Sequence, residues 1–252
     1  MRLLSLARDL RRRKSRERNG LFVVEGVRAA EELLASPLHA VGALTAPQLA
    51  STPRGSAMRD ALAKRGLEVA EVTAAEFESA AETDTPQGIL VLAEIPTRRL
   101  ADHATTELAR ILVLDGVQDP GNAGTLVRTA AGLGATATIA LPGTVDLWNA
   151  KVVRSAMGAH FLHPAFHCTW DELRLFLDES STPLWGADAR GTSVQDAVAP
   201  LRLALAVGNE GAGLTPPVRD AVQHLVSLPL TGGIESLNVA VAAGILLYEL
   251  RP

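Results

Sequence analysis

The sequence contains a single cysteine, Cys168, among its 252 residues. One cysteine cannot form a disulfide within the chain or supply a cysteine metal cluster, and we expect no metal site. Aromatic residues are also scarce, with one tyrosine and three tryptophans, so few side chains can stack on nucleic-acid bases.

No stretch reaches the roughly 18 apolar residues of a membrane span; residues 237–248 come closest but include Asn238. The N-terminus lacks the apolar core of a signal peptide, so the cytoplasm is the expected location.

Positive charge is concentrated at the N-terminus. Residues 1–18 carry eight basic and two acidic side chains, a net charge of +6, whereas the whole chain has a net charge of −4. The remaining residues therefore carry −10. A basic arm on an acidic body is a candidate contact for nucleic-acid phosphates. The alternative is a solvated terminal helix.

The pattern of elements divides the chain into two α/β parts. Residues 1–98 contain short strands and helices, and a linker is expected from Pro96 to Glu107. In residues 106–252, apolar runs of strand length alternate with helical segments, which favours a parallel sheet with helices on both faces. In this second part we predict, among others, helices from about Thr125 to Gly132, over Leu147–Met157 and over Trp170–Glu179, and strands over Leu184–Ala187, Leu201–Val207 and Leu225–Leu228.

Three segments of the second part carry polar or glycine-rich turns where apolar strands end. Asp119–Arg128 places a glycine turn at a helix N-terminus, where free N–H groups attract anions. Gly208–Leu214 is a turn that contains three glycines, and Ser236–Asn238 caps the last helix. Each has a structural alternative: Asn122 only caps its helix, Glu210 is a solvated acid in a tight turn, and Asn238 is an ordinary N-cap. The glycine fingerprints of dinucleotide and P-loop sites are absent.

Together, in this order and spacing, the segments resemble the three signature motifs of the SpoU (TrmH) family of RNA ribose 2′-O-methyltransferases. Asp119–Arg128 resembles the first motif and Val207–Leu214 the second. Leu228–Leu230 with Ser236–Val239 resembles the third, with Leu230 where many members carry methionine. Lys151–Ala159 is similar to a further family stretch. Upstream segments that resemble the family's N-terminal substrate-binding domain are Lys14–Arg16, Phe22–Gly26 and Gln87–Gly88.

The resemblance implies a fold, a cofactor and an assembly. It implies a C-terminal α/β trefoil knot, in which the end of the chain threads through a loop, preceded by a small ribosomal-protein-like α/β domain. It also implies S-adenosylmethionine as cofactor and a homodimer with the site near the subunit interface. The residues expected to contact the cofactor are Gly208, Leu228 and Leu237, together with Asn209 and Leu230. Those expected to bind RNA are Arg11, Arg12, Arg13, Lys14 and Arg16.

The same resemblance nominates catalytic residues. Methyl transfer to a ribose hydroxyl requires alignment of the oxygen with the methyl group and loss of the hydroxyl proton. The nominated residues are Arg128, with Asn122, Glu210, Ser236 and Asn238 around it. Because a guanidinium stays protonated at neutral pH, Arg128 can act as a base only where the site strongly disfavours its charge. We favour the alternative, in which Arg128 holds a phosphate and stabilises alkoxide charge. Glu210 either orients Arg128 or belongs to an internal polar network.

The expected substrate is large-subunit ribosomal RNA, because the N-terminal domain and its basic arm look like those of members that act on it. Three other functions stay open at this stage. They are a tRNA 2′-O-methyltransferase, a non-catalytic RNA-binding relative with a decayed cofactor site, and a nucleotide-cofactor oxidoreductase suggested by the α/β pattern alone. The missing glycine fingerprints weigh against the oxidoreductase. No membrane partner is expected.

Overall fold

The computed structural model describes residues 2–103 and 107–251 of the chain, which form two compact units. The first unit contains the chain as far as Thr97 and, in addition, Trp148–Leu162. The second contains Arg98–Leu147 and the chain from His163 onward. The first unit's N-terminal part thus ends inside the expected linker, of which residues 104–106 lie outside the described residues.

The N-terminal part has the following elements, in chain order: α1 Arg2–Asp9, α2 Arg13–Asn19, β1 Leu21–Glu25, α3 Val27–Ala35, β2 Ala40–Thr45, α4 Pro53–Lys64, β3 Val69–Glu71, α5 Ala74–Glu78 and β4 Ile89–Glu94. The sheet order is β1-β4-β2-β3. Strand β4 pairs antiparallel with β1 and β2, whereas β2 and β3 are parallel. A 3-10 turn at Pro47–Ser51 precedes α4.

The basic N-terminus is folded onto this sheet. Helix α1 buries Leu3, Leu4 and Ala7 in the same apolar cluster as Leu90 and Leu92 of the central strand β4. Burial of such side chains is the main favourable term in folding. Helix α1 is therefore packed on the sheet along its apolar face and is not a fully solvated terminal helix, although its arginines face outward.

A later segment of the chain completes the first unit. The Trp148 ring lies 4.5 Å from Phe22 of β1 and 4.2 Å from His160, centroid to centroid, and it stacks almost parallel to the imidazole. Phe22 and His160 are almost entirely buried. Aromatic packing therefore draws Trp148–Leu162 into the core of the first unit, an arrangement that a single division along the chain does not capture.

The later elements, in chain order, are β5 Ala109–Asp115, α6 Pro120–Gly132, β6 Ala137–Ala140, α7 Ala150–Ser155, β7 Ala165–His167, α8 Trp170–Glu179, β8 Leu184–Ser193, β9 Arg202–Gly208, α9 Pro216–Ala221, β10 His224–Ser227 and α10 Val239–Glu249. Short 3-10 turns occur at Leu100–His103, Ala159–Phe161 and Val194–Asp196. The second unit has a six-stranded sheet in the order β10-β8-β9-β5-β6-β7, and every pairing in it is parallel. The prediction of a parallel sheet is confirmed.

Several boundaries differ from the expectation for physical reasons. Helix α6 begins at Pro120, because the Asp119 carboxylate accepts the N–H of Asn122 as an N-cap and proline is tolerated in the first turn. Helix α8 has the expected bounds and starts with a capping box of Thr169 and Glu172. Strand β8 continues to Ser193, beyond the expected Ala187. Strand β7 was not predicted, because three residues give too short a pattern.

Strand β8 is interrupted where it pairs with β10. Leu225 lies opposite Gly186, whereas the next residue, Val226, lies opposite Thr192, so residues 187–191 of β8 have no register partner in β10 and bulge out of the strand as a loop between the two paired segments. A Cβ at Gly191 would come within 2.5–2.7 Å of the backbone of Leu225 and Val226, so only glycine permits this approach. Threading of the chain end through a loop stays a prediction.

None of the described helices is both long and apolar enough to cross a membrane.

Candidate active site

A cleft of about 660 Å³ lies at the carboxyl ends of β9 and β10 and beside the interrupted middle of β8. Ligands of open parallel sheets bind at this edge. All five predicted cofactor-binding residues line it, and so do three of the five predicted catalytic residues. The cofactor-binding residues are Gly208, Asn209, Leu228, Leu230 and Leu237. The catalytic residues are Glu210, Ser236 and Asn238.

The glycine turn after β9 is closed by its own backbone. Asn209 and Gly213 exchange two N–H···O=C hydrogen bonds of 2.9 Å. A Cβ on Gly208 would come within 2.2–2.4 Å of the backbone of Gly213 and Leu214. The turn itself therefore requires glycine at position 208, because the first collision of a side chain would be inside the turn.

The Asn209 side chain also serves the turn. Its Oδ1 accepts the N–H groups of Gly211 and Ala212, and its Nδ2 donates to the carbonyl of Gly116 at 2.9 Å. These bonds satisfy both ends of the amide. Asn209 lines the cleft. Its side chain holds the backbone of the glycine turn, and that backbone forms part of the cleft wall.

A buried carboxylate anchors the far end of the turn. Asp115, at the end of β5, is 1% exposed and accepts the backbone N–H of Thr215 at 2.6 Å and its hydroxyl at 3.0 Å. The pair ties β5 to the residue before α9. Sequence reasoning missed Asp115; a polar residue at the end of an apolar strand was the available signal.

Three polar side chains join the three motif segments. The Asn122 Nδ2 donates to Glu210 at 2.9 Å, and the Asn238 Nδ2 donates to the Asn122 Oδ1 at 2.9 Å. Glu210 also accepts long hydrogen bonds of 3.4 Å from the backbone N–H groups of Gln118 and Asp119. Partial burial opposes ionisation of Glu210, but the hydrogen bonds from Asn122 and the backbone outweigh it and hold the pKa of this carboxyl below its usual value. Glu210 thus belongs to a polar network, one of the two roles considered for it.

The capping role considered for Asn122 belongs to another residue. Asp119 is the N-cap of α6, and Asn122 lies one turn further with its amide in the network. Asn238 does cap α10, since its Oδ1 accepts the N–H groups of Ala240 and Val241. Its Nδ2 remains available for Asn122, so the Asn238 side chain has both roles.

Arg128 faces a second cavity that adjoins the first. A groove of about 900 Å³ between α6 and α10 is lined by Arg128, Asn122 and Asn238. Asn238 lines both the cleft and the groove. Ser236 lines the cleft, and the groove lining does not include it. Of the five predicted catalytic residues, Arg128 and Asn122 thus line the groove, Glu210 and Ser236 line the cleft, and Asn238 lines both.

The cleft also contains a cluster of charged side chains that the sequence did not predict. Asp188 accepts hydrogen bonds from the Arg190 side chain at 3.1 and 3.3 Å and from Arg219 at 2.6 Å. The hydrogen bond from Arg190 contributes most to holding the pKa of Asp188 well below its usual range, against the effect of partial burial. No motif marks these residues, which are brought together by the loop within β8 and by α9.

The N-terminal basic residues divide into two groups. Arg11, Arg12, Arg13 and Lys14 are exposed. Arg16 is 4% exposed, and its Nη1 donates to the carbonyl oxygens of Leu10 at 2.7 Å and Arg11 at 3.0 Å. The Arg16 guanidinium thus stabilises the turn that follows α1. Because this side chain is buried in a structural role, we no longer propose Arg16 as an RNA contact.

Known protein families match both parts of the chain. The SpoU rRNA Methylase family matches residues 109–248, and the MRM3-like substrate binding domain matches residues 5–91. The chain is 34% identical, over 97% of its length and 94% of the relative, to the 23S rRNA (guanosine(2553)-2′-O)-methyltransferase RlmP of Bacillus subtilis.

Solved structures agree over nearly the whole chain. The AdoMet-bound rRNA methyltransferase from Sinorhizobium meliloti has a TM-score of 0.86 and 26% identity, with coverage of 99% of this chain and 94% of that one. The SpoU methyltransferase AviRb from Streptomyces viridochromogenes, in complex with AdoMet, has a TM-score of 0.88 and 27% identity, with coverage of 98% and 96%. The expectation of an S-adenosylmethionine-dependent RNA methyltransferase is thereby confirmed, and the chain belongs to the SpoU rRNA methylase family.

Proposed function

We propose that the protein transfers a methyl group from S-adenosylmethionine to a ribose 2′-hydroxyl of 23S ribosomal RNA. The observation that carries the proposal is the junction at Asn238, where the cleft of the predicted cofactor residues meets the groove that contains Arg128. Methyl transfer requires the donor and the acceptor to be held next to each other, and a junction of two cavities allows this. The name of the Bacillus subtilis relative supports the choice of RNA and of the ribose oxygen.

The cleft fits the cofactor in size and in character. Its volume lies in the range of small-molecule sites, about 300–1,000 Å³. Val207, Val226, Leu228 and Leu246 provide an apolar wall, which suits the flat face of an adenine, and the glycine turn exposes backbone groups beside it. When bound, S-adenosylmethionine supplies an electrophilic methyl group and its own leaving group.

The residues at the junction align the acceptor and balance its charge. Arg128 is exposed and lines the groove, which supports a role in which its guanidinium holds a phosphate next to the target ribose and stabilises negative charge on the 2′-oxygen. The network of Glu210, Asn122 and Asn238 fixes the relative positions of the three motif segments. Water takes the hydroxyl proton in this mechanism.

Two features support a homodimer formed through the second unit. Helix α10 exposes Val241, Ile245 and Tyr248, with exposed fractions of 52%, 41% and 51%. Their spacing of four and three residues places them on one face of the helix, and all three line the α6–α10 groove. A second copy of this chain would cover this apolar stripe, so the groove would border the subunit interface, where the family resemblance implies that the site lies.

RNA capture is assigned to the exposed basic residues of α1, of the turn that follows it and of the start of α2. Arg8 and Arg11 are held by Ser79, through its hydroxyl at 2.8 Å and its carbonyl at 3.4 Å. Arg8 and Arg11 line a depression together with Arg12, Ser79 and the acidic Glu82, so arginines are in excess there. Phosphates of a folded RNA suit this array, because guanidinium groups bind phosphate oxygens in fixed geometry.

A methylation assay tests the function. The full-length protein is incubated with methyl-labelled S-adenosylmethionine and either a 23S rRNA transcript or a tRNA pool, and the product is hydrolysed with alkali. A 2′-O-methyl group blocks alkaline cleavage at its own phosphodiester, so label in alkali-resistant dinucleotides from 23S rRNA is the expected result. Label in alkali-labile mononucleotides would indicate base methylation instead, and label in tRNA alone would favour the tRNA alternative.

A further inference from the structure

The loop of residues 187–191 forms one wall of the cofactor cleft and has a defined conformation. Ala187, Asp188, Ala189 and Arg190 line the cleft. The Arg190 backbone N–H donates to Asp188 Oδ1 at 2.9 Å, and the close approach at Gly191 fixes the end of the loop against β10. These contacts fix the backbone of the wall.

The charges on this wall do not cancel. The Asp188 side chain is 10% exposed and pairs with both Arg190 and Arg219. Two guanidinium groups on one carboxylate leave a net charge of +1. They also leave N–H donors in excess, because each guanidinium has five donors and a carboxylate has only two oxygens. A second carboxylate would complete the cluster in charge and in hydrogen bonds.

The other charged side chains along the cleft have the opposite sign. They are Glu210 and Glu235, and the rest of the lining is apolar or uncharged. Among the described residues that line the cleft, Arg190 and Arg219 are the cations. Arg219 is 32% exposed and Arg190 is 77% exposed, so more of the Arg190 side chain is accessible to a ligand.

We propose that Arg190 binds the α-carboxylate of S-adenosylmethionine, with Asp188 and Arg219 as positioning residues that hold the Arg190 guanidinium at the mouth of the cleft. The inference rests on the proposed function, because it names how that cofactor is recognised. The amino-acid end of the cofactor then lies at the loop of residues 187–191. Its ammonium group is left toward the acidic side of the cleft.

The test pairs one residue with one ligand group. Calorimetry on the full-length protein measures the affinity of wild type and Arg190→Gln for S-adenosylmethionine and for its decarboxylated analogue, which differs by the carboxylate alone. Arg190→Gln is expected to weaken S-adenosylmethionine by about tenfold or more, the size of one charge-assisted contact. The same substitution is expected to change affinity for the decarboxylated analogue by less than about twofold. Arg190→Lys, which keeps the charge, should lose less than Arg190→Gln.

Two comparisons complete the design. Arg174→Gln removes an exposed arginine on α8, away from the cleft, and should leave both affinities unchanged. If Arg190→Gln weakens both ligands equally, Arg190 acts on the shape or overall charge of the cleft and the inference is overturned. Unchanged affinity for both ligands would overturn it too. If the wild-type protein binds neither ligand, the proposed function itself fails.

Discussion

Asn122 and Glu210 are 88 residues apart in the chain and are joined by a 2.9 Å hydrogen bond from the amide to the carboxylate. The bond links the first motif segment to the second, and it helps to lower the pKa of Glu210. A carboxyl with a lowered folded-state pKa contributes stability that is present above its unfolded pKa, about 4.3 for glutamate. This contribution is lost as the pH falls through the folded value.

This linkage predicts a pH-dependent effect of Glu210→Gln. The variant should melt at a lower temperature than wild type at about pH 7, and the difference should shrink as the pH falls below about 4. Thermal unfolding monitored by circular dichroism between these values is the measurement. A difference that stays constant over the range would show that ionised Glu210 does not stabilise the fold.

Gly208→Ala should disrupt the glycine turn. The added methyl group would collide with the backbone of Gly213 and Leu214, so the turn must shift and the cleft must change shape. We expect the affinity for S-adenosylmethionine to fall by more than about tenfold, which is about 1.4 kcal/mol. Gly211→Ala is the matched control in the same turn, because its Cβ would come only within 3.7 Å of the Asn209 side chain. Equal affinities of the two variants in calorimetry would contradict this account of Gly208.

Arg128→Ala should separate chemistry from RNA capture. If Arg128 stabilises charge that develops in the transition state, the methylation rate falls by a factor on the order of 100 or more while RNA still binds. Single-turnover methylation with excess enzyme and saturating RNA measures this rate. Arg174→Ala on α8 serves as the control and should keep the wild-type rate. A wild-type rate for Arg128→Ala would make Arg128 a binding residue.

The N-terminal basic residues should divide in function as they do in exposure. Replacement of Arg11, Arg12, Arg13 and Lys14 by glutamine should weaken RNA binding and lower its log–log salt slope by roughly 0.7–0.9 per lost phosphate contact. The rate at saturating RNA should survive, because these contacts are equal in the ground and transition states. An unchanged slope would identify these side chains as a solvated face.

Two further variants control for charge and for folding. Neutralisation of the exposed Arg59, Lys64 and Arg65, in the same unit, should leave the salt slope unchanged. Arg16→Gln removes the buried guanidinium that binds two backbone carbonyls. It should lower the free energy of unfolding by about 1–3 kcal/mol, as measured by denaturant titration.

Ile245→Asp should give a monomer. The substitution places a charge in the centre of the apolar stripe on α10, where a second copy would have to bury it without a partner. Sedimentation at micromolar concentration should show the wild type as a dimer and the variant as a monomer. Leu175→Asp changes another exposed apolar residue, on α8, and should sediment like wild type. A monomeric wild type would contradict the proposed assembly.

The sequence by itself determined the elements and the chemistry that they carry. Apolar runs of strand length, the helical segment Trp170–Glu179 and the glycine turn after Val207 are local signals, because propensity and capping depend on residues a few positions apart. The order and spacing of the three motif segments then indicated the family. The cofactor and the candidate catalytic residues followed from that resemblance.

Only the tertiary structure decided which of these residues meet and what each one does. The network of Glu210, Asn122 and Asn238, the charges around Asp188, and the aromatic packing of Trp148 on Phe22 join residues that are distant in the chain. Such contacts depend on the order of the strands and on the backbone path of the loops. The same cause separates Arg16 from Lys14: the two belong to one basic run, but folding buries one guanidinium against a helix end and leaves the other charge in water.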